Sequence, residues 1–105
     1  MKIIENASGY NEALEAPLSA LYYFTDNCGI CQVLKPKVSE LFESLSIPLH
    51  GVNLMEHAAL AAQQLILGVP TLIVYQNGKE VLREGAYLQI PDLRNKLEAL
   101  LKEQQ

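Results

Sequence analysis

The chain has no tryptophan and only two cysteines. Two cysteines cannot build the multi-bridge framework that holds small secreted domains together. They also fall short of the four ligands of a structural zinc site unless His50 and His57 complete the set, and those histidines lie beyond a long helical pattern without a His-x₃₋₅-His spacing. No segment approaches the ~20 apolar residues of a membrane-spanning helix. The N-terminus, Met1-Lys2-Ile3-Ile4-Glu5-Asn6, has neither the apolar stretch nor the small-residue cleavage site of a secretory leader. Basic residues are scarce and scattered: 8 Lys and Arg stand against 12 Asp and Glu, for a net charge of −4. With no basic stripe, a nucleic-acid partner is not expected. These absences point to a cytoplasmic protein that does not engage a membrane.

Apolar residues are plentiful, at 50% of 105 positions, which suffices for one domain over residues 1–105 with its own core. Residues 2–4 suit a short edge strand. Asn6 or Ser8 can cap a helix through about Glu15. Leu18 to Phe24 is an unbroken apolar run of strand length, as in a central strand covered on both faces. From Cys28 or Gly29 onward, Ile30, Val33, Leu34, Val38, Leu41, Phe42 and Leu45 recur at helical steps, with Pro36 inside the pattern as a kink. Ile47-Pro48 closes that helix. Leu49, Val52 and Leu54 suggest a strand, His57 to Leu67 a third helix, and Thr71 to Tyr75 another strand. Asn77-Gly78 fits a type I′ turn returning an antiparallel strand over Glu80 to Arg83. Ile90, Leu93, Leu97, Leu100 and Leu101 mark a last helix with Pro91 in its first turn, after which Lys102 to Gln105 is expected to fray. The order β-α-β-α-β-α-β-β-α implies an α/β fold, a mixed sheet with helices on both faces.

The chemistry concentrates in Cys28-Gly29-Ile30-Cys31. The pair follows the Leu18–Phe24 run and opens the longest helical pattern, so both thiols sit at a strand–helix junction. Unpartnered N–H groups and the helix dipole favour negative charge there, and the thiolate is the nucleophile of disulfide exchange. Half of a zinc site, a permanent structural disulfide and an inert buried pair are the competing readings. The ligand count, the apolar content and the junction position weigh against them in turn.

The chain resembles the thioredoxin family along most of its length. Cys28-Gly29-Ile30-Cys31 is similar to that family's active-site motif, and Pro36 to its helix-kinking proline. Gly68-Val69-Pro70-Thr71 resembles its cis-proline segment, and Asn77-Gly78-Lys79 with Gly85-Ala86 its hairpin and glycine loop. The resemblance implies a thioredoxin fold and a thiol–disulfide oxidoreductase, a protein-disulfide reductase needing neither a bound metal nor an organic cofactor. It makes Cys28 the attacking thiol and Cys31 the resolving one. Gly29 would let substrate approach, Pro70 would be cis and opposite the sulfurs, and the Val69 backbone would pair with an extended substrate. Asn27, Ile30, Gly85 and Ala86 would complete the substrate contact, with Gly68 keeping the wall low. Partners would be protein disulfides and a reductase or low-molecular-weight thiol as electron donor, with the chain acting as a monomer. A thioredoxin-fold adaptor, or a redox sensor, is the alternative.

Four departures from the family pattern stand out. Asn27 replaces the tryptophan before the motif, which predicts a smaller, more polar docking surface; Asn27 could also cap the helix. Ile30 replaces a proline. Tyr22 stands where the family has a buried acid, and Gly51 where a lysine often pairs with that acid. Losing both leaves no unpaired buried charge but removes a proton acceptor, so Cys31 is expected to have a raised pKa and to resolve slowly. His50 and His57 are read as structural, and Tyr23, Tyr75 and Tyr87 as core or surface packing.

Overall fold

A computed structural model describes residues 1–104. Its strands are β1 (Lys2–Ile3), β2 (Leu18–Phe24), β3 (Leu49–Asn53), β4 (Thr71–Gln76) and β5 (Lys79–Glu84). Its helices are α1 (Ala7–Glu15), α2 (Gly29–Ser44), α3 (Ala58–Gln63) and α4 (Ile90–Glu103). The strands form one sheet in the order β1-β3-β2-β4-β5. β1, β3 and β2 run parallel, and β4 and β5 join antiparallel.

The apolar run in β2 makes it the middle strand, with all seven residues buried. Its side chains alternate between two cores. Leu18, Ala20, Tyr22 and Phe24 join Leu72, Val74 and the inner stripes of α2 and α4. Leu21, Tyr23, Val52, Ile73 and Tyr75 meet Tyr10 and Ala13 of α1 on the other face. There the Tyr23 and Tyr75 hydroxyls lie 3.2 Å apart, and Tyr75 donates to Gln64 Oε1 at 3.1 Å. Burial pushes the pKa of both phenols up.

Two helix ends explain where periodicity overran. Glycine is the usual residue for the left-handed position that closes a helix. α2 uses Ser46 (φ 55°), with Ile47 N–H donating to Phe42 O at 3.0 Å. α3 uses Leu65 (φ 55°), with Ile66 N–H donating to Ala61 O at 3.0 Å. The third helix therefore stops at Gln63, short of the expected Leu67. β1 ends at Ile3, β3 stops before Leu54, and β5 gains a residue at each end. α4 continues through Glu103, so Lys102 does not fray; Gln105 lies outside the described residues. At the hairpin, Asn77 (φ 52°) and Gly78 (φ 80°) adopt the positive values a type I′ turn requires.

His50 faces the α1 side, in a cleft of about 730 Å³ beside Lys2 and Glu12. Burial, helped by the nearby Lys2 ammonium and the N-terminus, lowers its pKa.

Candidate active site

The sheet brings one set of strand ends together. β2 ends at Phe24 and leads through a short turn to Cys28. Thr71, the first residue of β4, pairs with Tyr23, which places Pro70 beside the end of β2. Glu84, the last residue of β5, pairs with Leu72, so Gly85 and Ala86 emerge next to Pro70. A cleft of about 400 Å³ joins Leu67, Val69, Pro70, Gly85 and Ala86. The Val69–Pro70 peptide bond is cis.

Cys28 and Cys31 are joined by a disulfide, with Cα atoms 5.2 Å apart. Cys28 is the N-cap of α2, and its Sγ accepts the Cys31 N–H at 3.1 Å. That donor is one of the helix's orphan N–H groups, so a Cys28 thiolate would meet a hydrogen bond already aimed at it. Cys28 is half-buried whereas Cys31 has no exposed surface. Exposure therefore distinguishes the two sulfurs.

Asn27 does not cap α2, because the cap position belongs to Cys28. Its Oδ1 instead accepts from the Thr25 hydroxyl at 2.9 Å in the preceding turn. Gly29 and Ile30 form the exposed first residues of the helix. A Cβ added at Gly29, Gly68 or Gly85 would meet nothing within 4 Å, so these glycines leave open surface rather than relieve crowding. The loss of tryptophan has not made the exposed surface wholly polar. Ile30 and Val33 on α2, Leu67 in the cleft wall, and Tyr87 after the glycine loop are all exposed.

Tyr22 and Gly51, the two positions without charge, are direct neighbours in the β2–β3 register. Tyr22 is fully buried, lies roughly parallel to Phe24 with ring centroids 6.2 Å apart, and donates its hydroxyl proton to Cys31 O at 2.8 Å. A Cβ at Gly51 would come within 2.7 Å of Ile3 Cδ1 and 2.9 Å of Met1 Sδ. Apolar groups thus occupy the room above Gly51. Burial pushes the Tyr22 phenol up to about 12, so it stays neutral and cannot act as a base at ordinary pH. Among the described residues the buried polar side chains are Ser19 and Asn53, neither of them a carboxylate.

Without a buried base, loss of the Cys31 proton should follow the pH of the medium. In stopped-flow measurements on a preformed Cys28 mixed disulfide, the resolution rate is expected to rise about tenfold per pH unit between about pH 6 and 8, as the thiolate fraction does below a thiol pKa of about 8.5 or higher. A plateau across that range would point to an internal base and overturn this reading.

Two supports were not legible in the sequence. Asn53, at the end of β3, donates Nδ2 to both carboxylate oxygens of Asp26 at 3.1 Å, tying the turn before Cys28 to the sheet. Arg83 on β5 donates to Gln64 O at 2.8 Å and Leu65 O at 3.0 Å, bracing the chain that leads to Pro70. Nothing local signals the second, whose acceptors are backbone carbonyls far away in sequence.

A disulfide capping a helix at the end of a central strand, beside a cis-proline cleft, defines a class of thiol–disulfide proteins. Comparison with known proteins agrees. The thioredoxin family model matches residues 2–99. The thioredoxin of Chlamydia caviae is 35% identical over 81 residues, covering 76% of this chain and 79% of its own. That of Peptoclostridium acidaminophilum is 37% identical over 73 residues, covering 67% and 66%. The structure of a mutant thioredoxin from Halobacterium salinarum superposes with a TM-score of 0.86 over 93% of this chain and 88% of that one, at 23% identity, which speaks to the fold. The chain belongs to the thioredoxin family. It has the thioredoxin fold and the close cysteine pair of a thiol–disulfide oxidoreductase. Among the described residues, no helix is long and apolar enough to cross a membrane.

Proposed function

We propose that this protein reduces protein disulfides. The observation that carries the reading is the asymmetry of the pair: Cys28 reachable and hydrogen-bonded by a helix N–H, Cys31 buried behind it. In the dithiol form, the Cys28 thiolate attacks one sulfur of a substrate disulfide. One S–S bond breaks as the new one forms, and the second substrate sulfur leaves as a thiolate that takes up a proton. The Cys31 thiol then loses its proton and attacks Cys28 Sγ. This closes the Cys28–Cys31 disulfide and releases the substrate's remaining sulfur as a thiol. Two electrons pass from protein to substrate, and no metal or organic cofactor takes part.

Substrate would lie in extended form along Val69, with Pro70, Gly85 and Ala86 opposite and Asn27, Gly29 and Ile30 at the motif side. A reductase protein or a low-molecular-weight thiol returns the pair to the dithiol. The cytoplasm, whose thiol pool is reducing, suits this direction of electron flow. We take residues 1–105 to work as one domain and as a monomer.

The test is the reduction potential of the Cys28–Cys31 couple, measured by equilibration in dithiol/disulfide buffers and thiol trapping, together with turnover of a protein disulfide. A value near or below about −250 mV with turnover supports a reductase. A value above about −200 mV overturns the direction, and absence of a reversible disulfide overturns the enzyme reading altogether.

A further inference from the structure

Leu67 is 97% exposed and Leu65 is 72% exposed, two residues apart on the strap that leads into the cis-proline cleft. Leucines this bare are ordinary when scattered, but two of them lining one cleft with the cis-proline mark a contact surface. Leu65 also occupies the left-handed region at φ 55°, which disfavours a side chain and where glycine would fit better. The strap is nonetheless held firmly. Arg83 reaches it with two hydrogen bonds to the Gln64 and Leu65 carbonyls, and its remaining N–H groups hold both oxygens of Glu80 at 2.8 and 3.0 Å. The Arg83 guanidinium in turn holds the Glu80 carboxyl below the usual carboxylate range.

The charge of the cleft follows from those pairings. Its two charged lining residues are Arg83 and Glu84. Arg83 is matched by Glu80, and Glu84 by Lys96 at 2.9 Å. Among the described residues, no free cation lines the cleft to take a carboxylate, and no free anion to take an amine. What the wall offers is aliphatic surface from Leu65, Leu67 and Val69, next to the open edge left by Gly85.

We propose that Leu67 is a specificity-determining residue, seating an aliphatic side chain of a polypeptide segment within two residues of the cysteine under attack, and that Arg83 is the positioning residue that holds Leu67 there. The inference rests on the oxidoreductase reading above. An extended segment advances about 3.4 Å per residue, with alternate side chains on one side, so a side chain near the cysteine falls on the cleft wall. Burying a leucine-sized group against Leu67 favours such segments over charged ones.

The experiment uses pre-reduced protein in single turnover with two peptides, each closed by an internal disulfide. The peptides are identical except for leucine or glutamate at the residues flanking one cysteine. A small uncharged disulfide serves as the control for the unsubstituted protein. The unsubstituted protein is expected to reduce the leucine peptide about tenfold faster, as a difference in second-order rate constant. Leu67→Ser, which removes the aliphatic surface without adding a charge, is expected to bring the two peptides within about twofold, with an unchanged reduction potential showing that the couple itself is intact. Arg83→Ala should raise KM for the leucine peptide in multiple turnover with little change in kcat. Arg83→Lys should not rescue it, because an ammonium cannot span two carbonyls and a carboxylate at once. Equal rates with the two peptides, or a preference that survives Leu67→Ser, overturns this inference alone. Failure with the small disulfide as well overturns the oxidoreductase reading and this inference with it.

Discussion

A Cys31→Ser variant, mixed with a disulfide substrate, should stop halfway through the cycle and accumulate a covalent adduct through Cys28. A Cys28→Ser variant should accumulate none, and both should lose turnover down to the uncatalysed rate. The reason is the division of labour proposed above for the two cysteines. A substrate sulfur must approach the attacking sulfur in line with the bond being broken, which only an accessible thiolate permits. Cys28 is partly exposed, while Cys31 is 0% exposed, covered by the core that contains Tyr22 and Phe24. The cap hydrogen bond favours the same residue, since the N–H of residue 31 donates to Cys28 Sγ, and serine at 31 keeps that N–H. The substitution should cost little stability, about 1 kcal/mol for burying a hydroxyl in place of a thiol. Intact-mass measurement under non-reducing conditions, with and without dithiol, reads the adduct directly. An adduct on Cys31 in the Cys28→Ser variant would reverse the assignment of attacking and resolving thiol.

How much of this was legible beforehand depends on whether the signal was local. β2 runs from Leu18 to Phe24 as the apolar run predicts, because a strand buried on both faces needs no alternation. The α2 stripe, the hairpin turn and the final helix are equally local. The apolar pattern runs past the end of α3 because the helix closes at Leu65, and a leucine gives no hint that the backbone turns left-handed there. Asn27 resembled a cap because asparagine commonly is one, yet the cap is the cysteine one place on. The sequence showed that the acid and lysine positions were both uncharged. It could not show that Tyr22 and Gly51 face each other across β2 and β3, nor that Met1 and Ile3 fill the room where a longer side chain would stand. That fact requires the register, and the register is a tertiary property.

Reintroducing the acid makes that apolar replacement measurable. Tyr22→Asp is expected to destabilise the protein by about 3–5 kcal/mol at neutral pH, whereas Tyr22→Phe should cost only about 1 kcal/mol. Phenylalanine keeps the ring against Phe24 and loses the bond to the Cys31 carbonyl. Aspartate loses the ring, leaves a cavity, and places a carboxyl in the core without a paired cation; the Lys35 ammonium lies over the neighbouring Phe24 ring, 4.8 Å from its centroid. The carboxyl has a pKa of about 3.9 in the unfolded chain, and burial raises it in the folded one. Between those two values the folded state binds more protons, so the variant's stability should fall as pH rises from about 4 through the raised value. Urea midpoints at pH 5, 7 and 8 would show this slope in Tyr22→Asp and not in Tyr22→Phe. Adding Gly51→Lys should recover part of the loss by supplying the partner charge, since the two nearest atoms its Cβ would meet, Ile3 Cδ1 and Met1 Sδ, are the ends of flexible side chains, although Phe24 Cε1 at 3.1 Å must also give by a few tenths of an ångström. The coupling between the two substitutions should be favourable by about 1 kcal/mol or more in a double-mutant cycle. A Tyr22→Asp variant with no pH slope would mean that water reaches the carboxyl. The region under Cys31 would then be wet, and solvent would reach the resolving thiol's proton directly.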